Sequence, residues 1–307
     1  LPGETFRFWR TIELRLAPSA RKLEIRKAGT LPRNDIRTGD APFDDRVCLQ
    51  GDRARLLATL NSTVRARILA LLDRGEFAVT PTALRFTSTS TEQDRTKDLD
   101  VVASLADELR ATKVERRLAE HALSKDLPGV RLQNFEALLR LAPGNPHTHR
   151  AGKALLSSTD AALRNAAWEW AATHGDERTA SRDAIDRELD RSPDEALAPT
   201  ILYLARIRDP RRADRLTTFA QAANPGSRLA VALGDWAAAI APHRPLADTT
   251  ALLAPGFVSE VRAAVIPYLR DHGTVDCVEP LLSLAREEPR LRNAARDAVR
   301  AIQERLG

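Results

Sequence analysis

The chain has 307 residues, of which 43% are hydrophobic and 29% charged, and its formal net charge is +5. This composition predicts roughly one to three globular domains, and no apolar run approaches the ~20 residues of a membrane-spanning helix. Cys48 and Cys277 are too few for a disulfide framework or a thiolate metal site. We therefore expect a reducing, cytoplasmic setting and, because methionine is absent, a piece of a longer protein.

The positive charge is concentrated in residues 1–37, which hold nine basic and four acidic side chains. The remainder of the chain carries equal numbers of basic and acidic residues. Such a basic segment predicts contact with nucleic acid or with an anionic membrane surface through residues 7–37. The candidate contact residues are Arg7, Arg10, Arg15, Arg21 and Arg26.

Residues 1–112 predict a small α+β domain. Apolar and charged side chains alternate there with the period of half-buried strands. A turn at 17–20 is expected to join the first two strands as a hairpin, and the Gly- and Pro-containing stretch 38–44 predicts another turn. The predicted strands are residues 12–16, 23–26, 46–50, 77–80 and 84–88.

Two helices are predicted within the same domain. Leucine, isoleucine and valine recur at helical spacing over 52–73, and Gly75 is a suitable residue to end that helix. A second helix is predicted at 99–110. The polar stretch 87–93 between them is expected to form a loose loop.

Residues 113–307 contain a repeated pattern in which an apolar residue and an arginine precede small or apolar residues that enter a helix. The separations between successive arginines are 33, 64, 34 and 30 residues, so that one unit is about 32 residues long. Two helices fit in such a unit, and neither could cover its own apolar face without stacking. We predict five or six units whose arginines reach to an acidic group or a carbonyl of the next one. The repeated arginines are Arg131, Arg164, Arg228, Arg262 and Arg292.

Over residues 125–306 this pattern resembles the short HEAT repeats of phycobilisome-lyase-like proteins. Gly175-Asp176-Glu177-Arg178 and Arg208-Asp209-Pro210-Arg211 are similar to the Gly-Asp-Pro-Arg turn that often separates the two helices of a HEAT repeat. The resemblance implies a helical-hairpin solenoid that binds other proteins.

The N-terminal part resembles a domain found behind transmembrane segments in some bacterial proteins of unknown function. The resemblance lies in Thr38-Gly39-Asp40-Ala41-Pro42-Phe43-Asp44-Asp45-Arg46-Val47, the helical stretch 56–72 and the hairpin at 77–86. It implies membrane helices upstream of Leu1, which a basic segment on the cytoplasmic side would suit. This resemblance implies no catalytic or binding role for any residue of the chain.

Three tryptophans are candidate interaction residues. Trp168 and Trp170 are two positions apart on one predicted helix, so we expect one in the core and the other more exposed as a contact anchor. Trp236 follows Asp235, a pair that would suit a HEAT-like DNA glycosylase. The helical part is nearly electroneutral, however, and DNA needs a basic groove. We therefore expect Asp235 to pair locally and Trp236 to be buried.

Other polar residues predict no catalytic or metal site. His147 and His149 follow Pro146 in a predicted loop, without further ligands at useful spacing. Cys48 lies in a predicted strand and is expected to be buried. The sequence contains no nucleophile elbow, no glycine-rich phosphate loop and no H-E-x-x-H motif.

Together these features predict a mainly α protein, with an α+β domain at 1–112 and a HEAT-like solenoid at 113–307. The expected function is that of a non-enzymatic scaffold or adaptor without cofactor or metal, which binds protein partners and is tethered to a membrane or a larger assembly through its N-terminal part. The alternatives are nucleic-acid binding through residues 7–37, a HEAT-like glycosylase, and a homo-oligomeric structural component.

Overall fold

The computed structural model describes residues 9–16, 23–28, 36–89, 92–110, 113–191 and 194–307. Within these residues the chain is mostly helical and contains one five-stranded antiparallel sheet. The chain divides into two compact units, Leu1–Leu163 and Arg164–Gly307.

The first unit contains the sheet and seven helices among its described residues. The strands are β1 (Trp9–Arg15), β2 (Leu23–Lys27), β3 (Val47–Gly51), β4 (Gly75–Val79) and β5 (Ala83–Thr89). The helices are α1 (Ala41–Asp44), α2 (Arg53–Thr59), α3 (Ser62–Arg74), α4 (Glu92–Leu109), α5 (Val114–Ala122), α6 (Pro128–Leu141) and α7 (Pro146–Leu155).

The strand order is β1-β5-β4-β2-β3. The five predicted strands are present, but the hairpin expected between the first two is wrong, because β1 pairs with β5 and β2 lies between β4 and β3. Alternation fixes which side chains face the core but not which strand is the neighbour. The β1–β5 register places Ile12 opposite Phe86 and Leu14 opposite Leu84, so that apolar side chains meet on the core face.

The helix predicted over 52–73 is interrupted and forms two helices, α2 and α3. Asp52 caps α2, accepting a hydrogen bond from the Arg55 N–H at 3.1 Å. Asn61 caps α3 in the same way through the Val64 N–H at 2.9 Å. Because an asparagine side chain satisfies the free N–H groups at a helix start, it favours a new helix at this point over a continuous one. Gly75 ends α3, as predicted.

Two further boundaries differ from the sequence predictions. The polar stretch 87–93 is not a loose loop throughout, since β5 extends to Thr89 and α4 begins at Glu92. Strand pairing and a polar helix start therefore occupy residues whose composition suggested irregular structure. The stretch 38–44 forms a turn followed by the short helix α1, and the buried Asp44 carboxylate accepts hydrogen bonds from Thr38 and Gly39.

Helices α5 and α6 pack against each other and against α2 within the first unit. The turn before α1 approaches the start of α6 so closely that a side chain at Gly39 would meet the Gly129 carbonyl carbon at 2.3 Å. Gly39 also has a φ of +88°, which favours glycine. The α+β part and the first helices after residue 112 are therefore in direct contact.

The second unit consists of helices joined by short turns. They are α8 (Ala161–His174, which begins at the boundary), α9 (Arg182–Leu189), α10 (Ala198–Arg206), α11 (Ala213–Ala222), α12 (Arg228–Ile240), α13 (Leu246–Ala251), α14 (Ser259–His272), α15 (Val278–Glu287) and α16 (Arg292–Leu306). Helices α10, α12, α14 and α16 pack successively against one another, and α11, α13 and α15 each pack against the helix that follows.

Some side-chain contacts recur with the predicted period. The Tyr203 hydroxyl donates to the Asp176 carbonyl at 2.7 Å, and the Trp236 indole N–H donates to the Asp209 carbonyl at 3.0 Å, each across 27 residues. Both acceptors belong to the turns that resemble Gly-Asp-Pro-Arg. Tyr203 on α10 and Trp236 on α12 are thus each hydrogen-bonded to the turn of the preceding hairpin.

The repeated arginines also make recurring contacts, but in a different direction from the one predicted. Arg131 and Arg262 donate to carbonyls nine residues before them, at Ala122 and Leu253, and Arg292 donates to Ala285. Arg262 also pairs forward with Glu287 and Glu288, as Arg164 does with Glu188, but these carboxylates lie at the end of the second helix of the same hairpin. The three contacts with carbonyls reach back to the end of the preceding helix, and none of them reaches the next repeat. A cation is favourable there because the last helical carbonyls carry partial negative charge.

Candidate functional site

The three tryptophans singled out in the sequence are all buried, with exposed fractions of 1% for Trp168, 2% for Trp170 and 0% for Trp236. The expectation that Trp168 or Trp170 would be exposed is wrong, because both faces of α8 are covered. The Trp168 ring lies 5.6 Å from that of Tyr203. The burial of Trp236 is confirmed, and Asp235 beside it is exposed. These residues stabilise the helix packing and offer no surface to a partner in this conformation.

The basic candidates of the N-terminal segment are only partly described. Arg7 and Arg21 lie outside the described residues. Arg10 and Arg15 lie on β1 an odd number of residues apart, so that they face opposite sides of the sheet. Arg10 is half-buried. Arg26 lies on β2, which is separated from β1 by the two strands β5 and β4, and pairs with Glu24. The described arginines therefore do not form one continuous cluster.

The His147-Thr148-His149 segment is not a loop but the first turn of α7. Asn145 caps this helix through the His147 N–H at 2.9 Å, and the Thr148 hydroxyl donates to the Ala142 carbonyl. Proline is well tolerated at the start of a helix, which explains why Pro146 did not mark a loop. In the part of the chain that the structure describes, no group of three or more histidine, cysteine, aspartate or glutamate side chains is placed to hold a metal ion.

A cavity of about 700 Å³ in the second unit lies between α13 and α15. Its apolar wall includes Leu246 and Ala251 from α13 and Pro280 and Leu284 from α15. Leu284 is buried, whereas Ala251 is exposed, so the cavity is a groove with an open lip. We call this cavity the α13–α15 groove.

The groove exists because α13 is short and its side chains are small. Helix α13 has six residues, whereas α11 and α15 have ten each. Alanines at 247, 251 and 254 and Ser283 line the space without filling it. Since protein interiors normally pack without voids of this size, these residues leave an apolar surface that another group can occupy.

The buried Cys277 lies at the inner end of the groove. Its Sγ atom is 3.2 Å from the Thr250 hydroxyl, and the thiol is free. No histidine, lysine or arginine is among the described residues that line the groove, so nothing there would activate the thiol as a nucleophile. The other cysteine, Cys48, is half-buried on β3 rather than buried as predicted.

The ionic groups of the groove are Asp276 and Glu287. Glu287 pairs with Arg262 at 3.2 Å, and Arg262 also pairs with Glu288 at 2.9 Å. One guanidinium is therefore shared by two carboxylates. Asp276 is exposed, and among the described residues no cation pairs with it. The charge around the groove is therefore negative.

Two smaller clefts are lined by charged residues, some of which pair with each other. One, of about 430 Å³, includes Arg116, which pairs with Glu120 at 2.7 Å. The other, of about 310 Å³, includes Arg212, which binds Asp209 and Asp186. Arg212 and Asp186 hold each other charged, since their hydrogen bond raises the pKa of the guanidinium and lowers that of the carboxyl. Neither cleft has an apolar floor comparable with that of the α13–α15 groove.

The first unit contains a buried ion cluster that is not apparent from the sequence. Arg65 is 3% exposed and pairs with Asp40 at 2.8 Å and with Asp126 at 2.7 Å, and it also donates to the Leu60 carbonyl. Burial alone would raise the pKa of Asp126, but hydrogen bonds from Arg65 and the Leu127 N–H lower it below its usual range. In the sequence, Arg65 resembles any exposed arginine of an amphipathic helix, so only its surroundings reveal it.

His121 packs beside this cluster against α2. Its Nδ1 lies 3.2 Å from the Leu57 carbonyl. Burial lowers the pKa of His121, and the hydrogen bond with the carbonyl only partly opposes this effect. The imidazole is thus favoured in its neutral form, which makes it a packing residue with a pH-dependent contribution to stability.

Among the described residues, no helix is long and apolar enough to cross a membrane. No family model, no curated protein and no solved structure matches this chain.

Proposed function

We propose that the chain is a scaffold or adaptor that binds a protein partner through the α13–α15 groove. The observation that carries this proposal is an open apolar groove of about 700 Å³ whose described lining contains no histidine, lysine or arginine. Apolar pockets of this size hold an inserted side chain or a small ligand. An open lip of exposed alanines favours a segment of another protein over an enclosed small molecule.

The proposal includes a HEAT-like arrangement of the helical hairpins. It is supported by the succession of packed helices α10, α12, α14 and α16 and by the aromatic contacts that recur with the repeat. In such an array, each hairpin covers its neighbour and variation in one hairpin changes the surface locally. The shortened α13 would be one such variation, which creates a binding groove without disturbing the stack.

The test is a selection of displayed random peptides on the whole chain, with variants of one groove residue as the comparison. Ala251→Phe places a ring in the groove from the exposed lip, and Ala238→Phe places the same ring at an exposed position of α12 that does not line it. We expect enriched peptides that bind wild type and Ala238→Phe but lose most of their affinity for Ala251→Phe. Peptides that bind all three proteins equally would contradict the groove as the binding surface.

We further propose that the basic segment, residues 7–37, tethers the chain to an anionic membrane or a larger assembly. The excess of five positive charges in residues 1–37 supports this role, because clusters of basic residues bind anionic lipid headgroups and phosphates. The test compares binding to vesicles with and without anionic lipid and to duplex DNA, at about 50 and about 200 mM salt, where screening weakens such contacts. Binding to DNA but not to anionic vesicles would favour the nucleic-acid alternative.

A further inference from the structure

We infer that the α13–α15 groove selects a partner segment in which an apolar anchor is flanked by arginine or lysine. This inference rests on the proposed function and adds the chemistry of the partner. Its starting point is the position of the two ionic groups that line the groove. Asp276 lies in the turn before α15, and Glu287 is the last residue of that helix.

The two carboxylates therefore bracket the groove along its length. Helix α15 has ten residues, which corresponds to about 15 Å at the rise of an α-helix. An apolar side chain that enters between α13 and α15 has one carboxylate toward each end. Val275, which is 70% exposed beside Asp276, extends the apolar surface at one of these ends.

The arrangement around Arg262 leaves one carboxylate available to a ligand. Arg262 contacts both Glu287 and Glu288, and its Nε also donates to the Leu253 carbonyl. The Glu287 side chain is 41% exposed, and that of Glu288 is 18% exposed. Besides Arg262, Glu287 has only a neutral partner among the described residues, the Ser283 hydroxyl, which donates to its other carboxylate oxygen at 3.0 Å. If Glu287 turns toward a cation of the partner, Arg262 stays neutralised by Glu288, so that no buried charge is left unpaired.

The end of α15 adds to this preference. The last carbonyls of a helix carry partial negative charge, so a cation is favourable near Glu287 even apart from the carboxylate. The described lining offers no positive group that would bind an acidic segment. An acidic segment would meet like charge at both ends of the groove, and like charges repel partners at interfaces. A basic and apolar segment is therefore the occupant that the charges fit.

The experiment measures binding of three fluorescein-labelled peptides to the whole chain by fluorescence anisotropy. The first peptide carries leucines flanked by arginines, the second has glutamates in place of the arginines, and the third has serines in place of the leucines. We expect the first to bind about tenfold more tightly than the second, the size of two exposed ion pairs. We expect the third to bind weakly, because it lacks the apolar anchor.

Variants assign the preference to the two carboxylates. In Asp276→Asn/Glu287→Gln, the difference between the arginine and glutamate peptides should fall to about twofold or less as the charge–charge contribution is removed. The matched control is Asp235→Asn/Glu304→Gln, which removes two exposed carboxylates outside the groove and should leave the difference unchanged.

The outcomes separate this inference from the proposed function. Equal binding of the arginine and glutamate peptides, both weakened by Ala251→Phe, would overturn the charge preference and leave the groove as a docking surface. A preference for arginine that persists in Asp276→Asn/Glu287→Gln would also overturn it. If Ala251→Phe weakens the binding of none of the peptides, both the inference and the proposed function are overturned.

Discussion

The hairpins α8–α9 and α14–α15 each have an arginine at the equivalent position of their first helix, but the charges around the two arginines are balanced in opposite ways. Arg164 pairs with Glu188 at 3.1 Å, and Glu188 also accepts a contact from Arg191, so that two guanidiniums share one carboxylate. Arg262 instead has two carboxylates, Glu287 and Glu288. The side chains of Arg164 and Glu188 are both 6% exposed, whereas Glu287 is 41% exposed. The Arg164–Glu188 pair is therefore closed to solvent, whereas the Arg262 cluster keeps an acidic group at the surface of a groove.

Under the proposed function, equivalent arginines of two hairpins serve packing in one and recognition in the other. The arginine has the same task in both, which is to join the first helix to the end of the second. What differs is the surplus charge, which in the second hairpin lies beside the apolar α13–α15 groove. Substitutions that separate stability from binding can therefore test the comparison.

The largest effect is expected from removing the arginine itself. Arg164→Met leaves Glu188 buried with only the half-exposed Arg191 as its partner, and we expect a loss of about 3 kcal/mol or more in the free energy of unfolding. Arg262→Met should cost about 1–2 kcal/mol, since its carboxylates can turn toward water. Urea unfolding of both variants measures the difference. Equal losses would contradict the distinction between a closed and an open ion cluster.

The recurring aromatic contacts give the next largest effect. The Tyr203 hydroxyl donates to the Asp176 carbonyl and accepts from the Ala180 N–H, and burial raises the pKa of this phenol. Tyr203→Phe leaves the Ala180 N–H without this acceptor and removes one of two hydrogen bonds to the Asp176 carbonyl, which also accepts from the Thr179 N–H at 3.0 Å. We therefore expect a loss of about 1–2 kcal/mol in urea unfolding.

The control for this substitution is Tyr268→Phe. Tyr268 is half-buried and packs against the His272 ring, at 4.7 Å between centroids. Its replacement should change stability by less than about 0.5 kcal/mol, as expected for a change away from buried hydrogen bonds. A loss at Tyr268 as large as at Tyr203 would show that the hydroxyl contact to the preceding turn is not what stabilises these hairpins.

A smaller gain is expected at the turn between α10 and α11. Arg208 has a φ of +51°, in the left-handed region that costs most residues about 1 kcal/mol. It stands where the similar turn at Gly175 has glycine. Arg208→Gly should therefore raise the melting temperature, with a gain of up to about 1 kcal/mol. Arg211→Gly removes an arginine of the same turn without relieving this strain, and it should not be stabilising.

The smallest effect concerns His121, a half-buried group that forms no ion pair among the described residues, in contrast to both arginine clusters. Because burial lowers the pKa of His121, the unfolded chain binds the proton more readily than the folded one. Its contribution is complete above about pH 6.5, the ordinary histidine value, and is lost as the pH falls below it. We expect the slope of stability against pH below about 6.5 to be shallower in His121→Gln. An unchanged slope would assign the pH dependence to other groups.

Several features of the fold were predictable because they depend on neighbours in the sequence. The alternation of apolar and charged residues located five strands, and Asp52 and Gly75 marked real helix ends. The break between α2 and α3 was missed because the leucine pattern continues across it, while the Asn61 cap is a single residue. A cap that interrupts a periodic pattern is a local signal that deserves the same weight as the pattern.

The candidate site could not be predicted in the same way. The alanines of α13 fit an ordinary helix, and only the distance between α13 and α15 turns them into the lip of a groove. Trp168 and Trp170 seemed suited to an interface, yet both are covered by packing. A side chain's exposure depends on every helix that surrounds it, and spacing along one helix does not contain that information.

The helical character and the strand positions follow from the sequence, because they depend on periodicities of 2 and 3.6 residues along the chain. The spacing of the repeated arginines predicts, in addition, a repeat length of about 32 residues. The tertiary structure alone decided the strand order, the Arg65 cluster and the acidic apolar groove. These features depend on residues that are distant in sequence and meet only when helices and strands pack, so that burial, charge balance and free volume are set by the packing.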